Sequence, residues 1–240
     1  MKRFLLTLIM FCLVTPALFG QDEAVIPWVT NTSIFKGQIT VNNLNAQDNE
    51  VFLVATRNNG DEEAAVRTIP AFGQLVESTA TLFPTLGEGP GYRVIVTGSA
   101  PVHVGFVISS TGSPSGDSPA QADAVTIDDA SATGLLFNYL RITPESGASA
   151  PVVVNMGDAE ATVTFHAWQD GAMVASSVPV TLGSGRPFAD TSANLFPDVV
   201  GDIYVIAESD QPLVGLAFIF NASLEPSMAN ARAIQAVPAQ

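Results

Sequence analysis

The sequence predicts an all-β chain, two tandem antiparallel β-sandwich domains behind a signal peptide. Three observations predict it. Thr81-Leu82-Phe83-Pro84 returns as Asn194-Leu195-Phe196-Pro197, with Phe83 and Phe196 standing 113 positions apart. That interval suits one small sandwich rather than a solenoid repeat. Nearly every segment alternates apolar with polar residues or runs β-branched, and none holds a 3.6-residue apolar stripe for a full helix length. Lastly, Met1-Lys2-Arg3 followed by the apolar run Phe4 to Val14 has the form of an export signal.

The leader is assigned residues 1–20. Thr15-Pro16 breaks its apolar run, and Ala17 and Gly20 are small residues that offer cleavage positions. The run falls short of the roughly 20 residues that span a bilayer, which argues against an uncleaved anchor. Cys12, the only cysteine, sits inside it after Ile9-Met10-Phe11, without the small residue that lipoprotein processing needs. The mature chain is therefore expected to lack cysteine, and with it disulfides, thiol catalysis and cysteine metal sites.

The first repeat, 24–127, offers strands at Gly37–Asn43, Glu50–Arg57, Ala64–Ile69, Leu75–Ala80, Tyr92–Thr97 and Val102–Ser109. Asn58-Asn59-Gly60-Asp61 and Gly87-Glu88-Gly89-Pro90-Gly91 punctuate them as turns. The second repeat, 130–240, offers Tyr139–Ile142, Pro151–Asn155, Thr162–Trp168, Met173–Val180, Ile203–Ala207 and Leu213–Phe220, with turns at Gln169-Asp170-Gly171 and Gly183-Ser184-Gly185. Short strands with turns every 8–12 residues are the sandwich pattern. The copies agree beyond Leu-Phe-Pro. Val41-Asn42-Asn43 answers Val154-Asn155, and Pro101 to Ile108 answers Pro212 to Ile219, now 111 positions apart. The two-residue difference is placed in the turn at Gly87–Gly91. Ala124-Val125 and Ala236-Val237 are expected as closing strands, and the joint falls between Ala122 and Ala132. Ser109 to Ala122, rich in Ser, Gly and Pro, is expected as a long exposed loop.

Charge and composition narrow the function classes. Nine basic residues less Lys2 and Arg3 leaves seven against 23 acidic ones, a mature net charge of −16. Such a surface repels phosphate backbones and anionic membranes, which disfavours both as partners. Yet only 13% of the chain is charged and 47% is apolar. Either two-sided burial or a surface hidden against partners would account for that balance. No further apolar stretch reaches membrane-spanning length.

The residue types that carry chemistry are sparse. The two histidines, His103 and His166, stand in strands at positions that the repeat does not share, and each is expected to be an ordinary strand residue. Gly112-Ser113-Pro114-Ser115-Gly116 puts proline where a nucleophile elbow needs serine. Gly87-x-Gly89-x-Gly91 is a turn, because no helix follows to face a phosphate. Asp48, Glu50, Asp61, Glu62 and Glu63 on two successive loops, and Asp128-Asp129 at the joint, could offer oxygen ligands to Ca²⁺, although their spacing matches no calcium loop. Solvated acidic turns beside edge strands are the default reading. Trp28, Trp168, Tyr92, Tyr139 and Tyr204 could stack on a sugar or anchor a protein, but the two tryptophans do not superpose in the repeat.

The layout of each copy is a strand ending in Val-Asn, a longer strand into a Gly turn, Leu-Phe-Pro, and a strand pair whose second member opens with Pro-Val or Pro-Leu. It resembles the repeated immunoglobulin- or fibronectin-like β-sandwich modules of exported bacterial proteins. The resemblance spans most of residues 24–237 and implies fold and export. It carries over no functional residues.

The sequence therefore leads to an exported, non-enzymatic structural or interaction protein of the cell envelope or extracellular space, adhesion-like, with no catalytic, cofactor or metal residues assigned. Protein partners or self-association are the expected contacts. The alternative is a carbohydrate-binding module using exposed aromatic rings. A sugar binder needs at least two coplanar exposed rings, whereas a protein-docking module needs a free strand edge or an apolar patch.

Overall fold

Strands form wherever β-branched residues alternate with polar ones, and the core collects the inward half of each alternation. A computed structural model describes residues 23–112, 118–127, 131–143 and 149–234. The leader, Asp128-Asp129 and Ala236-Val237 lie outside the described residues. The first copy folds as β1 (Ala24–Asn31), β2 (Phe35–Asn42), β3 (Asn49–Arg57), β4 (Glu62–Ile69), β5 (Gln74–Ser78), the single helical turn α1 (Thr79–Leu82), β6 (Gly89–Gly98), β7 (His103–Ser110), β8 (Pro119–Asp123) and β9 (Val125–Thr126). The second runs β10 (Ala132–Ile142), β11 (Ser149–Asn155), β12 (Ala161–Gln169), β13 (Ala172–Ser176), β14 (Val180–Leu182), β15 (Pro187–Ala189), the turn α2 (Ser192–Leu195), β16 (Gly201–Phe220), β17 (Pro226–Asn230) and β18 (Arg232–Ile234).

The described residues build two antiparallel sheets of nine strands each, one per sequence copy, wired alike. In the first, β4-β3-β6-β1-β9 form one wing and β5-β2-β7-β8 the other, joined by the single pair Asn31↔Lys36. In the second, β12 and β10 flank the first half of β16, while β11 and β17 flank its second half. The wings of the first copy close on one core, Leu53, Val94 and Ile26 from one side meeting Ile39, Val41 and Phe106 from the other. Leu135, Phe165 and Val205 meet Val153, Leu213 and Ala217 in the second.

Two buried devices recur in both copies. Asn43 and Asn155, both fully buried, brace the turn that follows them. The Asn43 amide donates to Gln47 O (2.8 Å) and Ile69 O (3.1 Å), and that of Asn155 to Ala159 O (2.7 Å) and Leu182 O (2.9 Å). Each Oδ1 accepts a backbone N–H two residues on, from Asn45 and Gly157. The Leu-Phe-Pro repeat is a capped helical turn. Ser78 and Thr191 accept from Thr81 N and Asn194 N, and the chain then drops Phe83 and Phe196 into the two cores, each 1% exposed.

Several expectations are revised. β1, with Pro27 and two register shifts, was not anticipated, nor was β15. Ile203–Ala207 and Leu213–Phe220 are one strand, β16. Met173–Val180 is instead split into β13 and β14, because Pro179 has no N–H for the ladder. The expected loop Ser109 to Ala122 includes the start of β8, and Arg232–Ile234 forms the strand that pairs with β10.

The two sheets share a seam. β11 is buried at nearly every position, and its outward Val152 joins the first copy's core cluster with Leu216 and Phe218 of β16. Val154 and Val214 pack on Val25 beside Ile95. Polar contacts edge this apolar strip. Arg186 Nη1 donates to Asn58 O (2.7 Å), while Asn58 Nδ2 returns a bond to Pro187 O (2.8 Å). Arg93 Nε donates to Gly185 O, and burial pulls the Arg93 guanidinium below its usual range, countered by Glu62 and Glu23. Across the seam, Asn230 Nδ2 donates to Asp123 O (3.0 Å).

Candidate functional site

A sheet edge is exposed when its strand has a neighbour on one side only, and β13 is such a strand, paired with β12 alone among the described residues. The hairpin before it turns through Asp170 and Gly171, both at positive φ (52° and 82°), which suits the tight turn that this dipeptide signals. Ala172, Met173 and Val174 are exposed along β13, and Val178 beyond it is 83% exposed. Ser177 is the last residue tied to β12, donating its N–H to Phe165 O and accepting Phe165 N on its hydroxyl. Val178-Pro179 then bulges outward before β14 resumes the pairing.

Beneath the bulge lies a cavity of about 550 Å³, walled by Val178, Val180, Phe188, Leu195 and Phe196, with Asp190, Asn194 and Asp198 among its polar lining. The equivalent place in the first copy is bridged by an ion pair. Arg67 on β4 clamps Glu77 on β5 through two bonds, Nε–Oε1 at 2.9 Å and Nη2–Oε2 at 2.8 Å. That bond raises the arginine and holds the Glu77 carboxyl below its ordinary value. Glu63 accepts from Thr85 N and Leu86 N. From Gly171 to Gly185 the second copy carries no charged residue, whereas Asp61, Glu62, Glu63 and Arg67 guard the corresponding edge of the first. Charges of this kind are how sheets discourage strand addition.

A second concavity, about 280 Å³, opens at the seam and is lined by Trp28, Phe35, Phe218, Phe220 and Asp190 among others. The residues singled out for chemistry are otherwise dispersed. His103 is exposed on β7 opposite Asn42. His166 on β12 lies with Nδ1 2.8 Å from Ser176 Oγ and Nε2 3.4 Å from Glu208 Oε2. This serine–histidine–carboxylate row was not visible in the sequence, because cross-strand pairing of β13, β12 and β16 assembles it. It lies on a sheet face, where strand N–H groups run in the sheet plane.

Trp168 packs ring on ring with Tyr204 (5.9 Å, 9°) and its Nε1 is buried, so the pair spends ring area on itself. Trp28 instead rests on Gly91. Tyr92 is buried in the first core, where burial pushes its phenol up, and Tyr139 donates to Asp202. The acidic loop residues are engaged locally. Asp48 accepts from Ala71 N, Asp61 from Asn59 and Glu62 from Thr56. Among the described residues no three His, Cys, Asp or Glu side chains gather to hold a metal ion. No described helix is long and apolar enough to cross a membrane.

No protein-family model and no curated protein matches the chain. Among solved structures, Thermotoga maritima 1070 is 9% identical, covering 45% of this chain and 97% of its own, with a TM-score of 0.40. A calcium-binding mutant of Bacteroides uniformis beta-glucuronidase 2 (11% identity, 88% of this chain, 26% of its own) and the Pleurotus ostreatus lectin in complex with GalNAc (9%, 91% and 79%) have TM-scores of 0.18 and 0.19. Likeness at this level carries no argument about function.

Proposed function

We propose that this chain is an exported, non-enzymatic interaction protein of the cell envelope or extracellular space, and that it docks protein partners by strand addition at β13. The observation that carries this reading is the uncharged, apolar edge from Ala172 to Val178, lying over an open groove. An added strand satisfies main-chain groups along such an edge, and a neighbouring pocket receives alternate side chains. The occupant is an extended segment with apolar side chains at alternate positions, supplied by another protein or by a second copy.

The test is capture from envelope extracts on immobilised chain, with Val174→Lys as the edge variant and Val66→Lys, on the edge strand β4 of the first copy, as the control. A bound protein that is retained by Val66→Lys and lost from Val174→Lys supports strand addition. Capture that is indifferent to Val174→Lys contradicts it. Retention on polysaccharide, lost in Trp28→Ala or Trp168→Ala, would replace it with the carbohydrate-binding alternative.

A further inference from the structure

We propose that the cavity at the seam binds a small organic cation of the quaternary-ammonium class. Its walls come from both copies. Phe35 of β2 meets Phe220 of β16 at a ring separation of 5.3 Å, and Phe220 meets Phe218 at 5.7 Å, giving one continuous aromatic wall. Trp28 of β1 also borders the space. Its indole sits directly over Gly91, where a Cβ would lie 2.1 Å from Cε2, so the bare backbone there makes room for the ring.

Among the described residues lining the cavity, Asp190 is the one with an acidic side chain. Its Oδ1 accepts from Thr191 N (2.7 Å) and Asn194 Nδ2 (2.8 Å), which fixes the carboxylate at the start of α2, while Oδ2 carries no hydrogen bond among the described residues. Ring faces are negative by their quadrupole, and the carboxylate adds a full charge. A cation therefore gains from the four aromatic rings and from Asp190, with dispersion from Ile108, Ala150 and Ala189, a neutral molecule gains dispersion alone, and an anion is repelled. The type of cation follows from hydrogen bonding. A primary ammonium brings three N–H donors that each need an acceptor, whereas these walls are mainly apolar, with Thr30, Asp190 and Thr191 the polar residues among them. A fully alkylated nitrogen brings none. The chain's net charge of −14 concentrates cations around it in addition.

The test titrates the full chain with choline and, separately, with 3,3-dimethylbutan-1-ol, its uncharged isostere, following the two indole N–H resonances by NMR. The proposal expects choline to shift the Trp28 resonance saturably while that of Trp168 stays in place, with the alcohol binding about tenfold more weakly or worse. Asp190→Asn keeps the Oδ1 acceptor and should weaken choline severalfold without altering the alcohol. Equal affinity for the two probes would make the site a plain apolar pocket and overturn the proposal, as would no saturable shift with choline. The two probes on the native chain decide the matter even if a variant fails to fold. Neither result depends on the β13 edge.

Discussion

Thr40 and Val152 occupy the same place in two copies of one wiring, and so do Asn42 and Val154, His103 and Val214, and Gly105 and Leu216. The ladders prove the correspondence: Asn42 pairs with His103 and Thr40 with Gly105, as Val154 pairs with Val214 and Val152 with Leu216. In the first copy His103 is exposed, Thr40 and Asn42 are half-buried and Gly105 is buried, and three of the four are polar. In the second they are apolar, Val152 and Leu216 joining the first copy's core while Val154 and Val214 pack on Val25. The edges diverge the other way, charged and clamped in the first copy, uncharged and open in the second. The second copy thus presents two surfaces that the first does not, one buried inside the chain and one with no partner among the described residues.

The sharpest way to break that comparison is to place a charge at matched positions. Val152→Asp buries an unpaired carboxylate in the seam and should cost about 4 kcal/mol. Thr40→Asp, at a half-buried position, should cost about 1 kcal/mol, and denaturant midpoints report both. If the two variants unfold alike, the seam is not a packed interface.

Next are the buried amides. Asn155→Ala and Asn43→Ala each strand buried carbonyls and a loop N–H, costing about 2–3 kcal/mol by loss of satisfied hydrogen bonds. The two losses should agree within about 1 kcal/mol, because three bonds recur in both copies, with Asn43 adding contacts to Pro70 O and from Asn45 Nδ2. A large loss in one copy alone would show that the device is not shared.

A smaller effect distinguishes the edges by pH. Glu77 is held below its ordinary pKa by Arg67, so the pair's contribution is complete above the unfolded carboxylate value of about 4.3 and fades as pH falls through the lowered folded value. Arg67 stays charged throughout. The pair lies partly exposed, so Arg67→Ala should cost about 1 kcal/mol at pH 7 and nothing once Glu77 is protonated. Melting curves of both proteins across acid pH should converge.

Strands with one wet face were legible in the sequence. Glu50–Arg57 and Thr162–Trp168 alternate cleanly and fall within β3 and β12. Segments buried on both faces or bent by proline were harder to read. β1 holds Pro27 within an apolar run, and Glu208-Ser209-Asp210-Gln211 reads as a turn though β16 passes through it. The helical turns are too short to show a period. Periodicity assigns a face but not its partner, so nothing in Ala150, Val152 and Val154 announces that they meet the first copy. The free edge left one trace, fifteen uncharged residues from Gly171 to Gly185 in an acidic chain.

The seam makes Val152, Leu216 and Phe218 part of the first copy's core, so the two copies should unfold together. The chain has two tryptophans, Trp28 in the first copy and Trp168 in the second. Urea unfolding followed by fluorescence in Trp28→Phe and Trp168→Phe separately reads each copy, and circular dichroism of the same samples tracks the whole chain. Within each variant the tryptophan and circular-dichroism transitions should coincide. A tryptophan transition displaced from the circular-dichroism curve would show that each copy stands alone and that the seam holds nothing together.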